Sequence, residues 1–360
     1  ALTAICDSRG IVSSSEGLNG AALCAISGDL VDGYRQQEEP PALAPLLPER
    51  SSGGRAVGQE EGGSSNEGGI AVATAVEARA STALGTVLSE PRLLAGRVEA
   101  RHCDDPIGEI LAMSPQYDAV LIALPNLPNA FIPSVIERFV RADHPLVFVD
   151  VLKRTSAVRQ MFALDLLVKR CGSVVLTGCG ATPGILAAAA VLAAQSFIDV
   201  EHVDIWWGVG VASWDAYRAT IREDIAHLPD YTVERAKAMT DAEIDELLSR
   251  TNGLLELRHM EHADDLLLQR VGVVDDLAQV EVGGVMDTRH PKKPVSTTMT
   301  LTGTTADGKR AHHTFILGDE TTMADNVIGP ALGYLKRGLW LKAQGLFGVF
   351  GCPEFLPMVV

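Results

Sequence analysis

The sequence predicts an α/β protein: a doubly wound parallel sheet whose first βα unit is missing, then a second α/β domain with a mostly antiparallel sheet. Three observations carry this. Short, nearly continuous apolar runs alternate with amphipathic segments through the first half of the 360-residue chain, the pattern of strands buried on both faces by crossover helices. After Phe197 the pattern shifts to longer strands with a hairpin signal at Ala306-Asp307-Gly308, which favours antiparallel pairing. Between the halves, residues 173–190 read SVVLTGCGATPGILAAAA: an apolar strand, a glycine-rich turn and an alanine-rich helix.

The strands expected in the parallel sheet are LTAICD from Leu2, VEARHC from Val98, DAVLIAL from Asp118, PLVFVDV from Pro145 and SVVLT from Ser173. The helical patterns PIGEILAM, NAFIPSVIERFVRA and TSAVRQMFALDLLVKR separate the later ones. From Gln36 to about Ala80 the chain is rich in Pro, Gly, Ser and Glu. Such a composition cannot bury enough apolar surface to offset the entropy of ordering, so a mobile surface insertion is expected. Beyond Phe197, HVDIWWGVGV reads as a long strand, WDAYRATIREDIAH as a helix capped by Ser213, and DAEIDELLSR as a helix after Thr240, because Ser and Thr satisfy the free N–H groups of a helix start. AQVEVGGV, VSTTMTLTG and KRAHHTFILG are strands, and TTMADNVIGPALGYLKRGLWLKAQG is a helix broken near Pro330, where the ring removes a donor. The resulting limits are 1–183 for the first domain with its insertion at 36–80, 184–317 for a substrate or dimerisation domain, and 318–360 for a helical return.

Composition narrows the partners. A formal charge of −16 disfavours nucleic acid, whose phosphates need concentrated Lys and Arg, and leaves a small-molecule substrate. The six cysteines form no C-x-x-C pair, which suits a reducing compartment better than a disulfide framework. The longest apolar run, ILAAAAVLAA from Ile185, falls short of the ~20 residues that span a bilayer. No membrane partner is expected.

The glycine turn has the spacing G-x-G-x-x-x-G, and no acidic residue closes the next strand, so it departs from the dinucleotide fingerprint. Gly178 and Gly180 permit close backbone approach, and Thr182 precedes a helix start that attracts anions. As the turn after the last parallel strand, it faces a bound dinucleotide from the substrate side; a tight strand-to-helix turn explains it equally well. Cys179 lies inside it and, with no base identified, is read as packing. LTAICDSRG ends in Asp7, an acidic strand end of the kind that holds an adenosine ribose. Arg9, two residues on, could hold a 2′-phosphate. The cofactor is therefore NAD or NADP, with Arg9 tipping the choice to NADP. The strand and glycine loop that normally precede such an aspartate are not present, and the chain is expected to begin late.

The opening AICDSRGIVSSSEGLNGAAL is similar to the second strand and following loop of homoserine-dehydrogenase-like Rossmann domains. ALPNLPNAF, VDVLKRT, TGCGATPGILAAAA, IREDIAHLPDY, MEHADD, GGVMDTRHPKKP and GDETTMADNVIGPALGYLKRGL resemble saccharopine-dehydrogenase-like oxidoreductases of cyanobacteria and plastids, over about two thirds of the chain. The resemblance implies a Rossmann-like NAD(P)-binding domain, a second α/β domain, a soluble enzyme of cytoplasm or plastid stroma, and a homodimer. It also gives Lys153, after PLVFVDV, the part of the strand-end lysine near nicotinamide and substrate, where an ammonium polarises a carbonyl or imine during hydride transfer; a solvated lysine is the plain alternative.

Other candidates come from position. Pro125 and Asn126 follow DAVLIAL, where they could touch the nicotinamide ribose or form a simple turn. His259, His262 and Asp265 recur at three-residue spacing, on one face if helical. A substrate contact at His262, a polar helix start and a metal site all fit that pattern. Arg289, His290, Lys292 and Lys293 concentrate positive charge between two strands, where Arg289 and Lys292 could clamp a carboxylate; a solvated edge fits too. Tyr217, Arg218 and Arg222 form either a substrate wall or a salt-bridged surface. The function expected is NAD(P)-dependent hydride transfer to or from a small substrate bearing a carboxylate and a carbonyl or amine. A catalytically silent cofactor-binding scaffold and a metal-dependent lyase or hydrolase centred on His259, His262 and Asp265 are the alternatives.

Overall fold

The computed structural model describes residues 1–20, 23, 26, 29–35, 98–124, 128–211, 218–228, 230–318 and 323–360. They form two compact units, 1–117 and 118–360. The expected insertion, Pro125, Asn126, Ser213 and Tyr217 lie outside the described residues.

In the first unit, β1 (Ala4–Cys6), β2 (Gly10–Ser13) and β3 (Glu99–His102) form an antiparallel sheet in the order β1-β2-β3. The expectation that LTAICD and VEARHC belong to the parallel sheet is thereby corrected. Asp7 is the physical reason: its Oδ1 accepts from the N–H groups of Arg9 (2.8 Å) and Gly10 (3.0 Å). This Asx-type turn folds β1 straight back on β2. A Cβ on Gly10 would lie 2.4 Å from the Arg101 carbonyl oxygen, so only glycine lets β3 close on β2 here. Helix α1 (Leu30–Arg35) buries Leu30 against Val12, Leu23 and Ile26, and α2 (Pro106–Ala112) is capped by Asp105.

The second unit begins with β4 (Ala119–Ile122), α3 (Phe131–Arg141), β5 (Val147–Asp150), α4 (Thr155–Ala163), α5 (Asp165–Cys171), β6 (Val174–Thr177) and α6 (Ile185–Ala194). Its four-stranded sheet has the order β12-β6-β5-β4 and is parallel throughout. Every residue of β5 and β6 is buried, as their nearly continuous apolar character predicts. Phe148 stacks edge-on against Phe139 of α3, with centroids 5.5 Å apart. On the opposite face Val147 meets Gly338 of the last helix, where a Cβ would come within 2.5 Å of Val147 Cγ1. The sheet is thus covered on both sides, as the fold class requires.

The mixed sheet combines β7 (Asp199–Gly210), β8 (Leu254–Leu257), β9 (Val280–Asp287), β10 (Thr297–Thr304) and β11 (Arg310–Leu317) in the order β11-β10-β7-β9-β8. Only β7–β9 is parallel among its pairs. The hairpin at Asp307-Gly308 joins β10 to β11, with Gly308 at φ +77°. Helices α7 (Arg218–Ile225), α8 (Val233–Ala238), α9 (Asp241–Arg250) and α10 (Asp264–Arg270) accompany it. Thr240 and Glu243 form the capping box that starts α9, satisfying two end donors reciprocally.

Two expectations about the chain's last part are corrected. Helix α11 (Met323–Ala343) runs unbroken through Pro330, because packing along β4, β5 and β6 outweighs one missing donor. The return is not wholly helical: β12 (Gly348–Gly351) adds the fourth parallel strand, pairing with β6 from Gly348↔Val174 to Gly351↔Thr177.

Candidate functional site

The carboxyl ends of β5 and β6 carry the site. Asp150, the last residue of β5, is fully buried. Its Oδ1 accepts from the Leu152 N–H, the Gly178 N–H and the Thr177 hydroxyl, each at 3.0 Å. It thereby ties the turn after β5 to the glycine turn after β6. Burial pushes this carboxyl up to about 6, against the pull of the three donors, because a low-dielectric interior disfavours the charged form. Its Oδ2 has no partner among the described residues.

The glycine turn is forced into shape by its residues. Gly178 (φ +71°) and Gly184 (φ +138°) occupy left-handed backbone, which favours glycine. A Cβ on Gly184 would sit 1.7 Å from the Gly180 carbonyl oxygen. Cys179 is wholly buried, and burial raises its thiol well above the ordinary range; this is the packing role read from the sequence.

Beyond these turns lies a cavity of about 290 Å³ whose rim includes Lys153, Gly180, Thr182, Trp207, Asp224 and His262. Its volume is at the small end of ligand sites, roughly 300–1,000 Å³. Lys153 follows β5 and donates from Nζ to Asp224 Oδ1 at 3.0 Å, with side-chain exposures of 23% and 3%. Such a half-desolvated pair loses about 3–5 kcal/mol when one partner is removed. The segment holding Lys153 is stitched to the start of α10 and the residues before it: Ala263 N–H donates to the Lys153 carbonyl (2.7 Å), the Thr155 hydroxyl to Asp265 Oδ1 (2.9 Å), and the Ser156 N–H and hydroxyl to Glu261. Those donors hold the Glu261 carboxyl low despite its burial, whereas burial raises that of Asp265.

His262 is 3% exposed, and Asp264 is fully buried. Their Nδ1 and Oδ2 atoms are 2.7 Å apart but out of hydrogen-bond alignment, so His262 Nδ1 has no hydrogen-bond partner among the described residues, and the other carboxylate oxygen, Asp264 Oδ1, has none there either. The Thr182 hydroxyl donates to Asp264 Oδ2 at 2.7 Å. Lys153, Gly180, Thr182 and His262 therefore gather at one cavity, with Gly178 just behind them in the turn.

Asp7 spends its carboxylate on a hairpin turn, and Arg9 pairs with Asp29 at 3.2 Å. Neither closes a strand of the parallel sheet, so the expected adenosine-end pair is not assembled on that sheet. Arg222 pairs with Asp241 and the Met239 carbonyl; only the backbone of Arg218 is described, at the start of α7. Arg289 binds Asn252 Oδ1 and the Leu248 carbonyl, Lys293 donates to the Gly318 carbonyl, and Lys292 is exposed. None of Arg222, Arg289 or Lys292 lines the cavity. The expected face of His259, His262 and Asp265 is corrected as well. His259 and His262 precede α10, and His259, at φ +49°, turns outward to Glu281 (3.3 Å) with 78% exposure.

Asp224, Asp150 and Asp264 were not singled out by sequence, although two left a trace. Asp224 sits between Ile221 and Ile225, both fully buried, an acid on the apolar stripe of a helix. Asp150 closes an apolar strand, the same sign that marks Asp7.

No protein-family model matches the chain. Among the described residues no helix is long and apolar enough to cross a membrane. Solved structures with some similarity include an engineered D-amino acid dehydrogenase bound to NADP+ (17% identity, 69% of this chain and 79% of that one, TM-score 0.41) and a C. glutamicum DAP dehydrogenase in complex with DAP (17%, 69% and 79%, TM-score 0.43). Likenesses this low carry nothing about chemistry. By sequence, (S)-8-amino-7-oxononanoate synthase BioU of Haloferax mediterranei is 49% identical over 255 residues, 71% of this chain and 72% of that protein. This match overturns the resemblance to saccharopine-dehydrogenase-like and homoserine-dehydrogenase-like enzymes; its phrases lie on a fold class that hosts many chemistries. On this extent and identity, the chain belongs to the BioU family.

Proposed function

We propose that the cavity is the site where a BioU-type enzyme handles an amino-oxo carboxylic acid, with Lys153 meeting the oxo carbon. The relative's name describes a nine-carbon acid with an amine beside an oxo group at the end away from the carboxylate. Such a ligand needs an apolar wall for its methylenes and polar groups at its amino-oxo end. Val209, Val211, Met260, Met286 and Val327 offer the first, and Lys153, Asp224 and His262 the second.

The observation that carries this reading is the Lys153 amine, held 3.0 Å from a buried carboxylate on the rim of a largely apolar cavity. A lysine amine condenses with a ketone: Nζ bonds to the oxo carbon, the oxo oxygen departs as water, and an imine forms. Loss of that oxygen needs a proton, and His262, set against Asp264, is the titratable cavity residue suited to move it. A nicotinamide dinucleotide supplies hydride when bound. Its support here is the cavity's place beyond the carboxyl ends of parallel strands, where such sheets hold ligands.

The test is reductive trapping. Incubation with (S)-8-amino-7-oxononanoate and cyanoborohydride should add one reduced ligand by intact mass, mapped to Lys153 and absent from Lys153→Met. Adducts scattered over surface lysines, or none at all, would sink the reading and favour a catalytically silent scaffold.

A further inference from the structure

We infer that Asp224 is the specificity residue for the ligand's own amine, exchanging Lys153 for the substrate ammonium when an amino-oxo acid enters. This rests on the reading that the cavity takes such an acid.

Asp224 is the sole carboxylate among the described residues that line the cavity, and it is 3% exposed. Its helix is fixed in rotation: Ile221 and Ile225 are wholly buried on one side, and Arg222 is tied to Asp241 and the Met239 carbonyl on the other. The carboxylate cannot swing to solvent. Its charge is acceptable there because Lys153 Nζ lies 3.0 Å away. To attack a carbonyl, however, Lys153 must give up its proton, which His262 of the same cavity takes and then delivers to the departing oxo oxygen. Asp224 would then be a buried anion without a cation, a costly state.

An amine on the carbon next to the oxo group resolves this. With bonds near 1.5 Å, vicinal nitrogens lie about 3 Å apart. A ligand whose oxo carbon reaches Lys153 Nζ therefore brings its ammonium into the range Asp224 now gives to Lys153. As the ammonium takes the carboxylate, Lys153 loses its counter-ion and gains a like-charged neighbour, both of which favour the neutral, nucleophilic amine. Among the described residues that line it, the rest of the cavity gives the ammonium no competing carboxylate. Recognition of the amine and activation of the lysine thus share one carboxylate.

The experiment compares (S)-8-amino-7-oxononanoate with 7-oxononanoate, which lacks the amine, by calorimetric titration of the wild-type chain and Asp224→Asn. The wild type should prefer the amino ligand by about tenfold or more, the worth of a charge-assisted contact. Asp224→Asn should bring the two ligands close to equal. Equal wild-type affinities, or an equal loss of both ligands in the variant, would overturn the inference while leaving the proposed function standing. Binding of neither ligand by the wild type would remove both. A second variant covers the case in which Asp224→Asn does not fold. In Lys153→Met the unpaired Asp224 should be rescued by the amino ligand alone, seen as a rise in melting temperature that 7-oxononanoate does not produce; equal rises would count against the inference.

Discussion

Asp7 and Asp150 each close a short apolar strand, and each turns Oδ1 onto backbone N–H groups. There the likeness ends. Asp7 reaches residues two and three positions on and shapes a half-buried hairpin. Asp150 is fully buried and holds Thr177 and Gly178, 27 and 28 positions away. One carboxylate makes a local turn; the other locks two strand ends together beside a cavity. An acidic strand end therefore signals a backbone clamp as readily as a ribose hook, and the span of its hydrogen bonds decides what the clamp supports.

The contrast breaks most visibly under Asp150→Ala. Two N–H groups and a hydroxyl would lose their acceptor in the interior, at about 1–3 kcal/mol each. A loss of roughly 4 kcal/mol in urea unfolding of the second unit is expected, together with loss of ligand trapping at Lys153, whose segment starts from the same clamp. A variant of near wild-type stability would show that the clamp is dispensable.

A smaller effect sharpens the comparison through pH. In the fold Asp150 is pushed up to about 6, whereas an unfolded Asp titrates near ~3.9. The folded chain therefore binds the extra proton between those values. Its contribution to stability is fully present below about pH 4, falls as pH rises through 6, and is flat above. Two pKa units correspond to about 3 kcal/mol. Measured against Asp150→Asn, which cannot titrate, the wild type should lose about that much stability from pH 4 to pH 7. Parallel stability curves for the two proteins would mean that Asp150 stays ionised throughout.

The smallest effect belongs to Asp7→Ala. The N–H group of exposed Arg9 can turn to water, and that of Gly10 is only part-buried in its bond to Asp7, so about 1 kcal/mol is expected, with no change in trapping at Lys153. Loss of trapping in this variant would restore Asp7 to a role in the site.

Much of the second unit was legible because its signals are local. β5 and β6 are nearly continuous apolar runs, Thr240 and Glu243 stand at capping-box spacing, and Gly308 marks its hairpin. β12 was not legible: Gly-Val-Phe-Gly has weak strand propensity, and parallel pairing with β6 makes it a strand. Lys153, Thr182, Gly180 and His262 were picked out by position in the chain, and all four line the one cavity. Arg289 and Lys292 drew attention by charge density, yet the fold ties the first to Asn252 and leaves the second in solvent.

By itself the sequence determined the type of most elements and the strand ends worth searching, because helix and strand periods are written in residues two to four apart. Only the tertiary structure decided which charges meet. Lys153 and Asp224 are 71 residues apart, and Thr182 and Asp264 are 82. No local pattern encodes such pairs: they exist because the parallel sheet, the helix bearing Asp224 and the segment before α10 pack around one cavity, where low dielectric makes each unpaired charge costly.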